Sequence, residues 1–343
     1  MAGAAAIRTL VTRHGGRLDF SALGLGSAPL GNMHAPLSDE EAQATVRRAL
    51  TLGMRYFDTA PLYGLGLAEQ RLGTALSGEP SVILSTKVGR LLQPRGPGEA
   101  PESIYVDTPP LKVAYDYSSD GVMRSVEASL ARLGRDQVDV LYVHDVDAVT
   151  HGSVAAAEER IEQLIDLGGW RALSELRASG AVKAIGVGVN ETWACERLLT
   201  LADPDLFLIA GRYTLLDTSA LPRLLPACRE RGVGVVIGGP FNSGVLATGP
   251  VAGAKYDYAF ASPTILERAA AFQAVCGRHG VALATAALHF CLAGPAVVCV
   301  LAGARSPAEV ERNAASLDIA IPVDLWAELK HVGLLPREAP TPC

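Results

Sequence analysis

The 343-residue chain is predicted to form one α/β domain, a closed (β/α)8 TIM barrel with its site at the C-terminal ends of the strands. Three observations predict this fold. Strand-like runs alternate with helical runs along the whole chain, the strands number eight, and several strands end in polar side chains. Such alternation needs crossover connections and therefore parallel strands. An open doubly wound sheet is the alternative architecture.

The predicted strands are short runs rich in β-branched and aromatic residues, bounded by turn residues. They cover 21–26, 54–58, 81–87, 137–144, 182–188, 206–211, 233–238 and 296–303. The segments between them carry apolar residues at helical spacing. Helices are predicted at 39–52, 68–76, 121–134, 156–180, 191–201, 220–232, 265–280 and 307–316. Ser38 is predicted to cap the first helix, and several helices end at a glycine.

A long loop interrupts this regular pattern. Residues 90–119 follow the third strand, contain many Pro and Gly, and carry Tyr105, Tyr115, Asp116 and Tyr117. A loop of this length inside a compact domain is usually functional. We predict that it forms a wall over a substrate site; an insertion without a role is the alternative.

Four side chains near the ends of predicted strands form a candidate proton-transfer site: Asp58, Tyr63, Lys87 and His144. A phenol has an ordinary pKa of ~10, and a nearby ammonium lowers it by favouring the phenolate. Lys87 could supply that charge, Asp58 could keep Lys87 protonated, and His144 could bond a substrate oxygen. A purely structural Asp58–Lys87 ion pair is the alternative.

Composition excludes several function classes. Hydrophobic residues make up 49% and charged residues 19% of the chain, and the net charge of −6 comes without a long basic run, which argues against nucleic acid or a membrane as partner. No apolar run approaches the roughly 20 residues of a membrane helix, and the N-terminus lacks a secretory signal. The six cysteines have no metal-ligand spacing. We expect no metal and a cytoplasmic location, and predict no oligomeric state.

Known nucleotide and hydrolase motifs are missing. Two glycine pairs, at 64–73 and 186–190, fail to complete GxGxxG because Glu69 and Glu191 stand at the third glycine position. The sequence has no phosphate-binding P-loop, HExxH or GxSxG pattern.

A candidate anion site lies near the C-terminus instead. There Arg305, Ser306 and Pro307 follow the last predicted strand and begin a helix, so amide groups and a guanidinium could face one anion. A simple helix cap is the alternative.

In its sequence motifs, the chain resembles the aldo-keto reductase superfamily over its full length. It is most similar to the bacterial NAD(P)-linked aldose (D-threo-aldose, L-fucose or L-galactose) dehydrogenases and pyridoxal 4-dehydrogenase. The resemblance rests on LGLGSAPLGN, RYFDTAPLYGLGLAEQRLG, LSTKVGR, DVLYVHDVD, GAVKAIGVGVN, FNSGVLA and GARSPAEVERN. It implies that Tyr63 is the general acid/base, tuned by Lys87 and Asp58, and that His144 orients the substrate oxygen.

The resemblance also implies a nicotinamide cofactor bound on the barrel without a Rossmann domain. Asn190 resembles the asparagine that binds the carboxamide, 239–243 the pyrophosphate loop and 303–313 the adenosine-phosphate segment. The implied cofactor residues are Gly26, Ser27, Asn190, Gly239, Phe241, Asn242, Ser243, Gly303, Arg305, Glu309 and Asn313.

The chain departs from the family pattern at four positions near the implied cofactor. Gly238 stands where many members stack an aromatic ring on the nicotinamide, so stacking is lost or Phe241 replaces it. Ala210 stands in place of Gln and Val189 in place of Ser. Glu309 occupies a position where NADP-preferring relatives have Arg, and its carboxylate would repel a 2′-phosphate. NAD is therefore favoured, and Arg305 leaves NADP possible.

The implied activity is oxidation of an aldose at its anomeric carbon to a lactone. Pyridoxal 4-dehydrogenase and a reductase of small aldehydes are the alternatives, so the expected partner is a small sugar or aldehyde. Two other classes remain open on the residues alone: an aldolase that uses Lys87 as a Schiff-base nucleophile, and a cofactor sensor without catalysis.

Overall fold

The structure, a computed structural model, describes residues 3–99 and 104–342. Eight parallel strands close into a barrel in chain order, and the eighth pairs with the first through Val300 and Leu23. The strands are β1 (Leu23–Gly26), β2 (Tyr56–Asp58), β3 (Ile83–Val88), β4 (Val140–His144), β5 (Ala184–Val189), β6 (Leu206–Ala210), β7 (Gly234–Gly238) and β8 (Val297–Gly303). The closed barrel and all eight predicted strands are confirmed, and the open sheet is excluded.

Helices surround the barrel. The α-helices are Asp39–Thr51, Leu67–Ala75, Ser119–Leu133, Ala148–His151, Val154–Asp166, Gly169–Ala178, Thr192–Leu201, Leu224–Arg231, Val245–Thr248, Pro263–Arg278, Leu283–Leu292, Pro307–Ser316 and Val323–His331. Short 3-10 turns lie at Ala28–Gly31 and Asn242–Gly244. The Ser38 cap is confirmed, since its hydroxyl accepts from the Glu41 amide while the Glu41 carboxylate accepts from the Ser38 amide.

The prediction of a single helix over 156–180 is wrong, because the structure has two helices there. Val154–Asp166 ends before Gly168, whose φ of 75° lies in the left-handed region that breaks a right-handed helix. The helix Leu283–Leu292 was not predicted. Nearly all of its residues are buried, so it shows no polar face from which helical spacing could be read.

Three hairpins were also missed, and the shortest of them pairs Lys255–Tyr256 with Ala259–Phe260. Ile7–Val11 pairs antiparallel with Arg17–Ser21, and their side chains Leu10, Leu18 and Phe20 pack against Tyr56 and other residues inside the barrel. This hairpin closes the N-terminal end of the barrel. The third hairpin, Arg90–Pro94 with Leu111–Tyr115, gives the predicted 90–119 loop a folded base. Residues 100–103 of that loop lie outside the described residues.

The hydrophobic core has two layers, one inside the barrel and one between the strands and the surrounding helices. Five cysteines are buried and free, and Cys343 lies outside the described residues. Across residues 3–99 and 104–342 no cluster of His, Cys, Asp and Glu could hold a metal ion. Within the same residues no single helix is long and apolar enough to cross a membrane. One pair bent by 96°, Pro263–Arg278 with Leu283–Leu292, meets that length and apolarity together.

Candidate active site

A cavity of about 490 Å³ opens at the C-terminal ends of the barrel strands. Its lining brings together three of the four predicted proton-transfer residues, Tyr63, Lys87 and His144. Ile104 and Tyr105 also line it, in agreement with the prediction that the long loop forms a wall. A shallower depression of about 650 Å³ lies at the opposite end, beside the N-terminal hairpin, and it contains none of the predicted site residues.

The fourth residue, Asp58, lies behind Lys87 and is buried with it. The Lys87 ammonium donates to Asp58 Oδ2 at 2.6 Å and to the Thr59 carbonyl at 2.9 Å. Ser85 donates to the other carboxylate oxygen at 2.7 Å. Burial raises the pKa of Asp58, while the Lys87 charge and these hydrogen bonds oppose the rise. The predicted pair therefore forms, with both charges neutralised at close range.

Tyr63 lies in the turn after β2, with its ring against Lys87. The Lys87 Nζ atom is 4.8 Å from the centroid of that ring. Burial raises the pKa of Tyr63 well above its ordinary value, and the Asp58 charge adds to the rise. The expectation of a lowered pKa for Tyr63 is wrong for the site as it stands, because burial and the nearby Asp58 charge both raise it. Tyr63 is a neutral phenol at pH 7.

His144 ends β4 and faces Tyr63 edge-on, with ring centroids 6.0 Å apart. Burial lowers the pKa of His144 well below its ordinary value, and the charges of Arg90 and Lys87 add to this effect. The imidazole is therefore neutral at pH 7. Its Nδ1 atom is buried and has no hydrogen-bond partner among the described residues. A neutral imidazole in this position can orient a substrate oxygen by a hydrogen bond.

Sequence reasoning missed Arg90 and Asp145, which also line the cavity. Arg90 Nη2 donates to Asp145 Oδ2, and the same oxygen lies 3.2 Å from His144 Nε2. Asn190 donates to Asp145 Oδ1 at 3.1 Å. A signal was available, because Arg90 comes directly after β3 and its one-residue turn, and Asp145 comes directly after β4. Charged residues at those places face the mouth of a barrel.

Two of the predicted cofactor residues are buried with polar atoms left unsatisfied. Ser27, which follows β1, has a hydroxyl without a partner among the described residues, and the same holds for Asn242 Oδ1 after β7. The side-chain amide nitrogen of Asn242, Nδ2, donates to the Gly211 carbonyl at 3.2 Å and so fixes the side chain. Buried polar atoms without partners cost free energy unless a ligand satisfies them. These residues therefore fit a polar cofactor along this side of the mouth.

The segment after β7 is a tight turn. Gly239, Asn242 and Ser243 have φ of 57°, 45° and 59°, and such left-handed residues turn the backbone sharply. Phe241 is half-buried, packs against the core and is not part of the cavity lining, so its role as a substitute for an aromatic at Gly238 stays a prediction.

The segment after β8 differs from its prediction. The Arg305 guanidinium donates to the carbonyls of Met33, Ala35 and Pro36, so it fastens the loop after β1 and does not face an anion. This corrects the expected role of Arg305. Ser306 caps the helix, as predicted, by accepting from the Glu309 amide. The Glu309 carboxylate accepts from the Arg305 amide at 2.8 Å and places a negative charge at this helix N-terminus.

Of the remaining predicted cofactor positions, Gly303 and Asn313 lie on the same side, whereas Asn190 directly follows β5. Gly303 is paired with Gly26 across β8 and β1, and a Cβ atom on Gly303 would lie 2.9 Å from Pro29 Cγ. Packing alone therefore accounts for a glycine there. Asn313 is half-buried on the helix Pro307–Ser316. Asn190 lines the cavity, but its side-chain amide is engaged with Asp145.

The chain is similar to known proteins over most of its length. The model of the aldo/keto reductase family matches residues 22–333. A pyridoxal 4-dehydrogenase from Microbacterium luteolum is 41% identical over 93% of this chain and 95% of its own length. A D-threo-aldose 1-dehydrogenase from a Pseudomonas species is 39% identical over 93% of this chain and 96% of its own length. The solved holo form of aldo-keto reductase AKR11C1 from Bacillus halodurans has the same fold, with a TM-score of 0.72 at 24% identity over 95% of each chain.

Proposed function

The chain belongs to the aldo/keto reductase family of NAD(P)-dependent oxidoreductases, and on this premise we propose that it oxidises an aldose at its anomeric carbon to a lactone. The observation that carries the proposal is the buried Lys87–Asp58 pair beneath Tyr63, at the wall of a cavity large enough for a monosaccharide. A bound nicotinamide cofactor would accept the hydride from the anomeric carbon.

The proton is handled by the protein's own residues. In the reductive direction the neutral Tyr63 phenol donates its proton to the substrate oxygen. In the oxidative direction Tyr63 first gives its proton to solvent water at the open mouth of the cavity, and the phenolate oxygen then takes the proton from the anomeric hydroxyl. Lys87 is the cation next to the Tyr63 ring and stabilises the phenolate formed in between. His144 holds the substrate oxygen through a neutral ring nitrogen.

NAD is the proposed preference over NADP. Glu309 holds a carboxylate at the N-terminus of Pro307–Ser316, where a 2′-phosphate would otherwise find amide groups. Arg305 is turned away, with its guanidinium on three backbone carbonyls. An adenosine with free ribose hydroxyls can donate to the carboxylate, whereas a phosphate is repelled by it. The five free cysteines support a reducing compartment, the cytoplasm, for this activity.

Pyridoxal is the second candidate substrate. Tyr105 and Tyr258 line the cavity together with apolar side chains such as Ile104 and Leu208, and aromatic walls suit a flat pyridine ring. The 41% identity to a pyridoxal 4-dehydrogenase supports this candidate about as strongly as the 39% identity to a D-threo-aldose 1-dehydrogenase supports the first. The Arg90, Asp145 and Asn190 side chains favour a sugar, because they offer several hydrogen bonds to hydroxyl groups.

Initial rates at 340 nm test the proposal, with NAD and separately NADP, against L-fucose, D-arabinose, L-galactose and pyridoxal. Rapid NADH formation with a sugar, and a lactone as product, would support the aldose dehydrogenase. Activity confined to pyridoxal would transfer the assignment to the second candidate. Absence of turnover with all four, despite NADH binding, would contradict both.

A further inference from the structure

The Arg90–Asp145 pair is a second ion pair in the cavity, and the proton-transfer chemistry does not use it. The side chains are only 8% and 10% exposed. Arg90 comes from the turn after β3 and Asp145 from the end of β4, so the two residues meet across neighbouring strands. Both line the cavity next to His144.

Two observations indicate that this pair faces a ligand. Arg90 Nε is buried without a hydrogen-bond partner among the described residues, although the residue lines a cavity. Asp145 adopts a φ of 50°, which is unfavourable for a residue other than glycine and places its carboxylate at the mouth of the barrel. Strained backbone clusters at ligand sites, and a buried donor without a partner calls for an explanation such as a ligand.

The charges at the cavity cancel in two pairs, one of which is completed by Asp58 behind the lining. Lys87 faces Asp58, and Arg90 faces Asp145. His144 is neutral because burial and the two neighbouring cations lower its pKa. A substrate that carries a carboxylate or phosphate would therefore bring an uncompensated charge beside Asp145. A hydroxyl group, in contrast, can donate to Asp145 and accept from Arg90 without any change in net charge.

We infer that the Arg90–Asp145 pair determines substrate specificity by charge. It admits substrates whose groups away from the reacting carbon are neutral and hydroxylated, and it rejects carboxylated or phosphorylated analogues. The inference rests on the proposed function in one respect only, that this cavity receives the carbonyl or alcohol substrate. Asp145 supplies the repulsive element, because it masks Arg90, the arginine that lines the cavity within the described part of the chain and would otherwise attract an anion.

The test compares two aldehydes of similar size, one with a neutral para group and one with an anionic para group: 4-(hydroxymethyl)benzaldehyde and 4-carboxybenzaldehyde, reduced with NADH. The measured quantity is the ratio of their kcat/KM values, neutral over anionic, which does not depend on the fraction of folded enzyme. We expect the wild-type ratio to exceed about tenfold, or ~1.4 kcal/mol. Asp145→Asn should lower the ratio at least about tenfold, because Arg90 is then free to attract the carboxylate. Arg90→Met should not lower it, because this variant frees no cation and its loss of Arg90 raises the pKa of Asp145 further.

Asp120→Asn is the matched control, since it removes one carboxylate that is exposed and paired with Arg124 outside the cavity. Its ratio should equal that of the wild type. Where a variant turns over neither aldehyde, calorimetric binding of 1,4-benzenedimethanol and 4-(hydroxymethyl)benzoate to the NADH complex gives the corresponding ratio of dissociation constants. A ratio that falls in Asp145→Asn and does not fall in Arg90→Met supports the inference. An Asp145→Asn ratio within twofold of wild type, or a comparable fall in both variants, overturns it.

The two proposals fail separately. If the ratio shifts as expected but no aldose is oxidised, the aldose assignment is lost and the charge selection stands. If aldoses are oxidised and the ratio does not move, the assignment stands and Arg90–Asp145 is a structural pair.

Discussion

The two sides of the cavity mouth are built on different chemistry. The side formed by β2 to β5 carries buried ion pairs, Lys87 with Asp58 and Arg90 with Asp145. The side formed by β7, β8 and β1 carries tight turns, a capped helix and small polar residues such as Ser27 and Asn242. The first side therefore suits proton transfer and substrate selection, and the second suits a long polar cofactor.

This difference has an energetic consequence. Loss of one partner from a buried ion pair leaves a charge in a medium that solvates it poorly, whereas a hydroxyl or amide that contacts only a ligand can be removed at small cost. Substitutions on the β2–β5 side should therefore change stability and turnover together. Substitutions on the other side should change cofactor affinity with little effect on stability.

The largest effect is expected for Lys87→Met. Asp58 would be left buried beside an apolar side chain, and we expect the free energy of unfolding to fall by about 3 to 5 kcal/mol. Turnover should fall about 10³-fold, because the cation next to Tyr63 is lost. Denaturant unfolding and initial rates measure the two quantities.

The double variant Asp58→Leu with Lys87→Met is the control for this prediction. It should recover much of the lost stability, since no unpaired charge remains, and none of the activity. Equal stability of Lys87→Met and wild type would contradict a buried pair.

A smaller effect is expected when the pH is lowered, and it concerns the preference for the neutral over the anionic aldehyde. Burial raises the pKa of Asp145 to about 6, although Arg90 opposes the rise. The charged groups around Asp145 are Arg90, Lys87 and Asp147, and His144 is also close, with a pKa lowered well below its ordinary value. As the pH falls through 6, protonation of Asp145 removes its negative charge. The wild-type preference for the neutral aldehyde should then decline about tenfold between pH 7.5 and 5.

Asp145→Asn should show a flat ratio over the same pH range, since the amide does not titrate. A wild-type ratio that stays constant from pH 5 to 7.5 would contradict the assignment of this carboxylate to substrate selection. Stability at each pH is followed by denaturant unfolding, so that loss of folded enzyme is recognised.

The smallest effect is expected on the cofactor side. Glu309→Gln keeps an oxygen that can accept from the Arg305 amide and removes only the charge. We expect the ratio of kcat/KM for NADP over NAD to rise roughly fivefold, the effect of one partly exposed charge of about 1 kcal/mol. Stability should change by less than about 1 kcal/mol. A large loss of stability would mean that Glu309 behaves like a residue of a buried ion pair, which would contradict the difference between the two sides of the mouth.

The sequence predicted the barrel well because each strand combines a run of branched or aromatic residues with a turn at its end. The prediction failed for elements whose sequence carries no helical spacing or strand alternation that marks them. The buried helix Leu283–Leu292 has no polar face, and the N-terminal hairpin contributes Leu10, Leu18 and Phe20 to the barrel interior by contacts distant in sequence. Helical spacing and strand alternation describe local structure, so they cannot report which surface a hairpin covers.

The site was predictable to a different degree on its two sides. Asp58, Lys87 and His144 meet as predicted because strand order alone brings their positions together. The direction of the Tyr63 pKa was not predictable, since it depends on how deeply the ring is buried. The orientation of Arg305 was not predictable either, because its long side chain can reach either an anion or the loop at 33–36.

Tyr63→Phe gives the most direct test of the central claim, that a neutral phenol beside a buried ion pair transfers the proton. The variant removes one oxygen atom and keeps the ring against Lys87. Initial rates at 340 nm and NADH binding by fluorescence are measured on the same preparation. We expect turnover to fall at least about 10³-fold with the dissociation constant for NADH unchanged within twofold. Retention of most of the wild-type turnover would contradict the account.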